Sequence, residues 1–160
     1  MPSDTGTASS ATPSGGAAGS AGCRTRDLKV SVSAGEGAAG STFYTVRLKN
    51  VSMHSCRTGG FGGVSLVRAP NGAPVGAPAD RVKKGAAKPL TLRPGDRAEA
   101  TLQVTNAENY PAGKCQPTQA KGLRVYPPNE TRSAFVAQPT TACGSAKVHL
   151  LSLAPYRLVG

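Results

Sequence analysis

The sequence has no tryptophan and few other aromatic residues, only four tyrosines and three phenylalanines scattered along the chain. Acidic residues are scarce too: 8 Asp and Glu stand against 19 Lys and Arg, which gives a formal net charge of +11. This charge favours anionic partners in general. Nucleic-acid-binding proteins, however, concentrate their basic residues on a helix or interleave them with exposed aromatics, so we expect no nucleic-acid partner here.

Long hydrophobic runs are missing as well. No stretch reaches the length of about 18 apolar residues that a membrane span needs. The amino terminus also lacks the basic start and apolar middle of a signal peptide. We therefore expect no transmembrane segment, and we expect any export signal to be absent from this chain.

The chain has little of the chemistry that enzymes need. Its two histidines and eight carboxylates show no recognisable pairing, and no GxSxG elbow marks a nucleophilic serine. Residues 59–63 lack the Lys-Ser/Thr that ends a phosphate-binding loop, so they predict a tight turn. Met53, His54 and Cys56 are potential soft-metal ligands, but an oxidised Cys56 cannot bind metal as a thiolate. We predict that the protein is not an enzyme and binds neither a metal nor a cofactor.

Four cysteines are present: Cys23, Cys56, Cys115 and Cys143. Their spacing contains no CxxC motif, which argues against a zinc ribbon or a thioredoxin-type site, and the even number favours two structural disulfides. Disulfides persist in oxidising compartments, so we expect an exported protein that is secreted or associated with the cell wall. The residues alone allow three pairings.

Residues 1–22 are almost entirely Ser, Gly, Ala, Thr and Pro. Such a segment cannot bury enough apolar surface to offset the entropy of ordering, so we predict a flexible tail or linker. Residues 23–160 are then the folding unit, and their number suits one ordinary domain.

From Leu28 onward, apolar residues recur at every second position, which places them on one face of a strand. Val46 and Leu48, for example, alternate with Arg47 and Lys49. The pattern predicts eight strands: seven around residues 28–32, 44–48, 64–66, 90–92, 98–104, 123–125 and 134–136, and an eighth that includes Val148, Leu150 and the apolar C-terminal stretch. No segment has the pattern of a long helix.

Glycine and proline mark the turns between these strands. Pro94-Gly95 predicts a type II turn, because Pro fixes φ at the first central position and Gly accepts the positive φ at the second. Residues 35–40 predict a hairpin loop. Many short strands with such turns predict an all-β protein, an antiparallel β-sandwich, with a small closed barrel as the alternative.

The order of these features resembles a known family, the actinobacterial domain of unknown function 4232. The residues that carry the resemblance are the four cysteines and the segments Asn50-Val51-Ser52-Met53-His54-Ser55-Cys56, Leu92-Arg93-Pro94-Gly95 and Leu123-Arg124-Val125-Tyr126-Pro127-Pro128. Gly60-Phe61-Gly62 stands where the family has Gly-Tyr-Pro, which keeps the aromatic residue and loses the proline. The resemblance covers nearly all of residues 23–160.

This resemblance implies an immunoglobulin-like sandwich in a secreted protein or lipoprotein of high-GC Gram-positive bacteria. It also implies sequential disulfides, Cys23 with Cys56 and Cys115 with Cys143. The family has no common activity, so the resemblance names no substrate or partner.

The densest positive stretch is a predicted loop that carries Arg81, Lys83, Lys84 and Lys88. Loops at the ends of a sandwich commonly supply binding contacts, so these four residues are the candidate binding site. Our leading hypothesis is a non-catalytic adaptor that binds another secreted protein through edge strands, end loops and the tail. The alternative is a basic envelope protein that binds an anionic cell-wall polymer in a salt-dependent way.

Overall fold

The computed structural model describes residues 21–82 and 88–159, and strands make up most of them. The strands are β1 (Leu28–Ser33), β2 (Gly37–Ala38), β3 (Ser41–Asn50), β4 (Cys56–Gly59), β5 (Gly63–Val67), β6 (Asp80–Arg81), β7 (Pro89–Leu92), β8 (Arg97–Thr105), β9 (Pro117–Tyr126), β10 (Ala134–Cys143), β11 (Leu151–Leu153) and β12 (Arg157–Val159). The helical segments are two 3₁₀ turns, Thr25–Asp27 and Ala107–Asn109, and the one-turn helix α1 (Ala112–Cys115). No helix in the described ranges is long and apolar enough to cross a membrane.

The larger sheet has the strand order β1-β3-β8-β11-β6, with β2 beside β3 and β12 beside β8. Its pairs are antiparallel except for β11 and β6, which run parallel. A smaller sheet has the order β10-β9-β5, and β4 pairs with β7 in a two-stranded ribbon. β10 lies against β1 and β5 lies against β11, so the two main sheets face each other.

The core lies between these two sheets. Val46, Leu48 and Leu102 point inward from the larger sheet, and Leu123 and Val125 point inward from the smaller one; all five are buried. The residues between them along each strand are more exposed. This alternation is why the sequence forms a two-layer sandwich, because each sheet buries one apolar face and leaves the other in water. The predicted all-β sandwich is confirmed.

One side of the sandwich is covered by the chain itself. Residues 73–79 run beside β5, where the Val75 N–H donates to the Leu66 carbonyl (2.7 Å) and the Ala79 N–H donates to the Val64 carbonyl (2.9 Å). The chain then enters the larger sheet as β6. On the opposite side β1 and β10 are edge strands in the described residues. The sheets therefore stay open at this side, and the closed-barrel alternative is wrong.

Seven of the predicted strands lie within strands of the structure, and the eighth begins later than predicted. Val148 and Leu150 are buried and the Leu150 carbonyl accepts from the Thr105 N–H of β8 (2.8 Å), but the strand itself, β11, begins at Leu151. The reason is a turn after Cys143, in which the Val148 N–H donates to the Ser145 carbonyl (3.2 Å). β2, β4, β6 and β12 carry too few alternating apolar residues to be predicted.

The predicted turns have the expected backbone. Gly95 has φ +90°, and the Asp96 N–H donates to the Arg93 carbonyl (2.8 Å), as a type II turn requires. The predicted 35–40 loop is a hairpin that is tighter than expected, because β2 pairs with the start of β3 and leaves Ala39 and Gly40 at the tip.

Disulfides join Cys23 to Cys56 and Cys115 to Cys143, with Cα–Cα distances of 4.8 and 4.6 Å. This is the sequential pairing that the resemblance implies. Pairing with β4 begins before the first cysteine, since the Arg57 N–H donates to the Ala21 carbonyl (2.9 Å). Residues 21 and 22, which the sequence analysis assigns to the tail, therefore contact the domain, whereas residues 1–20 lie outside the described residues.

Candidate functional site

The end of β3 carries a buried asparagine that holds the loop after it. Asn50 has no exposed surface, and its side-chain nitrogen donates to the carbonyl oxygens of His54 (2.8 Å) and Leu92 (2.9 Å). Its side-chain oxygen accepts from the N–H (2.9 Å) and the hydroxyl (2.7 Å) of Ser52. Because both ends of the amide are used, the backbone of residues 51–55, here called the Asn50 loop, is fixed by hydrogen bonds.

Main-chain bonds tie the Asn50 loop to two neighbouring segments. The Val51 N–H donates to the Asp27 carbonyl (2.9 Å), at the start of β1. Asn50 exchanges main-chain bonds with the turn before β8, donating to the Asp96 carbonyl (2.9 Å) and accepting from the Gly95 N–H (2.8 Å). The loop is therefore anchored to the framework at both sides of β3.

The Asn50 loop presents two apolar side chains to solvent. Met53 is 89% exposed and Val51 is 54% exposed. A single exposed apolar residue is ordinary on a protein surface. Here two exposed apolar side chains lie on one loop whose backbone is already ordered by hydrogen bonds.

The Asn50 loop is followed directly by a disulfide. Cys56 is bonded to Cys23, so the Met53-His54-Cys56 segment offers no thiolate ligand. No group of three or more His, Cys, Asp or Glu side chains within residues 21–82 and 88–159 is arranged to hold a metal ion. The segment that carries soft-metal ligand types in the sequence is thus a structural element that displays Met53.

Two of the four predicted binding residues, Arg81 and Lys88, lie in the described part of the chain. Lys83 and Lys84 lie outside the described residues. Arg81 ends β6, and its guanidinium carbon lies 5.4 Å from the centre of the half-buried Phe61 ring, a cation–π contact. Lys88 is exposed directly before β7. Arg81 therefore has a partner within the domain, and Lys88 belongs to a different surface feature, the cleft described next.

Lys88 borders an open cleft of ≈ 370 Å³. Arg57 and Asn129 line its other walls, and main-chain atoms of the glycine-rich β4 end complete it. Neither Lys88 nor Arg57 makes an ion pair within the described part of the chain, so the cleft is positively charged. Thr58 also lines the cleft, and its hydroxyl is buried and has no hydrogen-bond partner among the described residues.

A second positive surface is the solvent face of the larger sheet. The strand register places Lys29 opposite Lys49 and Lys49 opposite Arg97 in one row. In the next row Arg47 lies opposite Glu99, which lies opposite Arg157. We call these five cations, Lys29, Arg47, Lys49, Arg97 and Arg157, the basic face.

Glu99 is the one carboxylate at the paired positions of these two rows. It accepts a hydrogen bond from Arg47 Nε at 2.6 Å, and its side chain is 15% exposed. Five cations and one anion leave a charge of +4 on the basic face. The alternation in the sequence indicates that Arg47 and Lys49 face water, but only the register between strands shows that basic residues of four strands meet.

The two histidines do not form a catalytic constellation. His149 Nδ1 lies 3.0 Å from both carboxylate oxygens of Asp80, the one His–carboxylate contact among the described residues. The side chains are 50% and 55% exposed, so the pair sits on open surface. No hydroxyl or thiol of the described residues is hydrogen-bonded to His149.

Tyr156 is the one titratable group of the described residues with a clear pKa shift. Burial of the ring raises the pKa of the Tyr156 phenol far above its usual value, because the charged phenolate loses its hydration. Its hydroxyl has no hydrogen-bond partner among the described residues. Its N–H donates to the Gly60 carbonyl (3.0 Å), so the residue belongs to the core and not to a site.

These features define a disulfide-linked β-sandwich domain with a rigid end loop and a basic sheet face. The chain belongs to the family described as Domain of unknown function (DUF4232), whose model matches residues 23–156. No curated protein and no solved structure matches the chain.

Proposed function

We propose that the protein is a secreted, non-catalytic adaptor module that binds another secreted protein through the Asn50 loop. The observation that carries the proposal is the combination of exposure and rigidity in this loop. Met53 and Val51 are exposed, while Asn50 beneath them makes four side-chain hydrogen bonds. A loop that is already ordered can bind without a large entropic cost.

The position of the loop supports the same function. Loops at the end of a sandwich are held by the framework while their sequence is free to vary, and binding residues concentrate there. The Asn50 loop is fixed by the start of β1, by the turn before β8 and by the adjacent Cys23–Cys56 disulfide. Edge strand β1 begins next to this loop, so a partner on Met53 can also pair with the strand.

The two disulfides support an extracytoplasmic location, since such bonds persist in oxidising compartments. The same location agrees with the secreted or lipoprotein character that family resemblance implies. The partner is therefore sought among exported proteins, and a surface that complements Met53 and Val51 must be apolar.

The test is affinity capture from the secreted fraction of the source culture with three immobilised proteins. They are the full chain, a Val51→Ser/Met53→Ser variant, and a Leu158→Ser control that removes a 49% exposed leucine from β12. We expect the full chain and the control to retain one protein in stoichiometric amount at high salt. We expect the loop variant to retain at least about tenfold less, the loss typical of two apolar contacts at an interface.

Equal retention by the loop variant and the full chain would show that the Asn50 loop is not the binding surface. Retention of nothing at high salt by the full chain would contradict the adaptor function itself. All three proteins should have the same urea unfolding midpoint, so that a loss of capture reports on the surface and not on folding.

A further inference from the structure

The basic face has an arrangement that folding alone does not favour. Like charges directly opposite each other on neighbouring strands destabilise a sheet. Lys29 lies opposite Lys49, and Lys49 lies opposite Arg97. Lys29 and Lys49 are exposed and make no ion pair within the described part of the chain. Lys29 and Lys49 therefore hold charge that the described part of the chain does not neutralise.

The spacing of these cations is regular, because it is set by the sheet. Neighbouring strands are about 4.8 Å apart, and residues on one face of a strand repeat about every 6.8 Å. The basic face therefore presents cations across β1, β3, β8 and β12 in two adjacent rows. A long chain with repeated single charges fits such a surface better than a small anion does, because a small anion needs an enclosing pocket.

The neutral residues of the same two rows indicate which kind of polyanion fits. They are Ser31, opposite Arg47, and Val159, opposite Arg97. Single-stranded nucleic acids stack their bases on aromatic side chains, and these two rows contain none. Protein interfaces have an apolar or aromatic core that excludes charge, which these rows also lack. The partner with matching chemistry is a flexible polymer that offers charge without rings.

We propose that the basic face binds a linear phosphodiester polymer of polyols, the chemistry of an anionic cell-wall polymer. Binding is electrostatic and proceeds by release of counterions from both surfaces, so it weakens as salt increases. The proposal does not depend on the protein partner of the Asn50 loop. It gives the domain a second surface, which includes Lys49, two residues before the Asn50 loop.

The experiment measures binding of fluorescently labelled poly(glycerol phosphate) to the full chain over a series of salt concentrations. The test variant is Lys29→Ser/Lys49→Ser. The matched control is Lys114→Ser/Lys147→Ser, which removes two equally exposed lysines that lie outside the strands of the basic face. Both variants have the same net charge, so a difference in their affinity for the polymer reports on the position of the lysines that were removed.

We expect the test variant to bind the polymer about tenfold more weakly than the control at low salt. The slope of log affinity against log salt should fall in magnitude by about 1.5, the value for two lost phosphate contacts. The Val51→Ser/Met53→Ser variant should bind the polymer as the full chain does, which separates this proposal from the adaptor function.

Three results would overturn the proposal. The first is equal weakening in the two lysine variants, which would show diffuse attraction by net charge. The second is tighter binding of single-stranded DNA of the same charge, which would indicate a nucleic-acid partner. The third is the absence of any salt-dependent binding by the full chain.

Discussion

At the scale of single residues, the buried side chain of Asn50 makes four hydrogen bonds. Replacing Asn50 with alanine removes the donors to His54 and Leu92 and the acceptor for Ser52. Since the Leu92 carbonyl is then buried with one partner fewer, we expect the free energy of unfolding to fall by about 3 kcal/mol. Urea unfolding under non-reducing conditions measures the change.

The control for this prediction is Asn109→Ala. Asn109 is exposed and donates one side-chain bond, to the Gly40 carbonyl at 2.9 Å. Loss of one exposed bond should lower the unfolding free energy by less than about 1 kcal/mol. If the two variants lose the same stability, the Asn50 loop is not held by Asn50.

For Thr58 we expect a substitution to raise the free energy of unfolding rather than lower it. Its buried hydroxyl has no partner among the described residues, and valine has the same shape without the polar group. Thr58→Val should therefore raise the free energy of unfolding by about 1 kcal/mol. Urea unfolding tests this, and a clear loss of stability would mean that the hydroxyl has a hydrogen-bond partner, such as water from the adjacent cleft.

Tyr156 makes stability depend on alkaline pH. Burial raises the pKa of its phenol in the folded protein above the value of about 10 in the unfolded chain. The folded state therefore holds this proton more tightly. The stabilisation is complete below about pH 10 and is lost as the pH rises from there towards the folded pKa. Tyr156→Phe should be at least as stable as the wild type in urea at neutral pH, because it removes a buried hydroxyl without a partner, and should lose less stability than the wild type above about pH 10.

At the scale of elements, the long strands are predictable from the sequence and their partners are not. β8 alternates polar and apolar residues over all nine of its positions and β3 does so over residues 44–49, so the existence and the buried faces of both strands follow from the pattern. β4 and β6 have four and two residues, which is too short for any period to show. They form because the Cys23–Cys56 disulfide and the pairing with β11 hold them in place.

The sequence predicts one candidate site and misses the other for the same reason: it does not show which strands are neighbours. The cluster Arg81, Lys83, Lys84 and Lys88 is conspicuous because its members are close in sequence. The basic face is assembled from β1, β3, β8 and β12, and residues 29 and 157 lie at opposite ends of the chain. Local sequence cannot show which strand lies beside which, so only the tertiary register reveals that surface.

The hairpin of β9 and β10 shows what a disulfide adds to an element that is already paired. Pro117 is in register with Cys143, so the Cys115–Cys143 bond closes the open end of this hairpin. Cys115→Ala/Cys143→Ala should lower the free energy of unfolding by about 3.5 kcal/mol, mainly because the unfolded chain regains the entropy of a closed loop. Urea unfolding of the double variant measures the loss, and a change below about 1 kcal/mol would contradict this account.

At the scale of the whole molecule, the contacts of Ala21 and Gly22 with Arg57 place the start of the domain at residue 21 instead of residue 23. A chain that lacks residues 1–20 should unfold at the same urea concentration as the full chain, because residues 1–20 carry little apolar surface to bury. Removing Ala21 and Gly22 as well takes away the carbonyl that accepts from Arg57. That chain should lose about 1 kcal/mol. If both truncated chains have the same urea unfolding midpoint, the folded domain begins after residue 22.

The sandwich has one open side, where β1 and β10 are its edge strands. On the other side the larger sheet ends in the two-residue strand β6, and residues 73–79, which include Pro74 and Pro78, run along β5. Among the described residues, the edge strands β1 and β10 of the two main sheets are both accessible at this open side, so two copies can add strand to strand there. A contact between the same edge strand of two copies is two-fold symmetric and closes on itself, so it does not grow into a fibre.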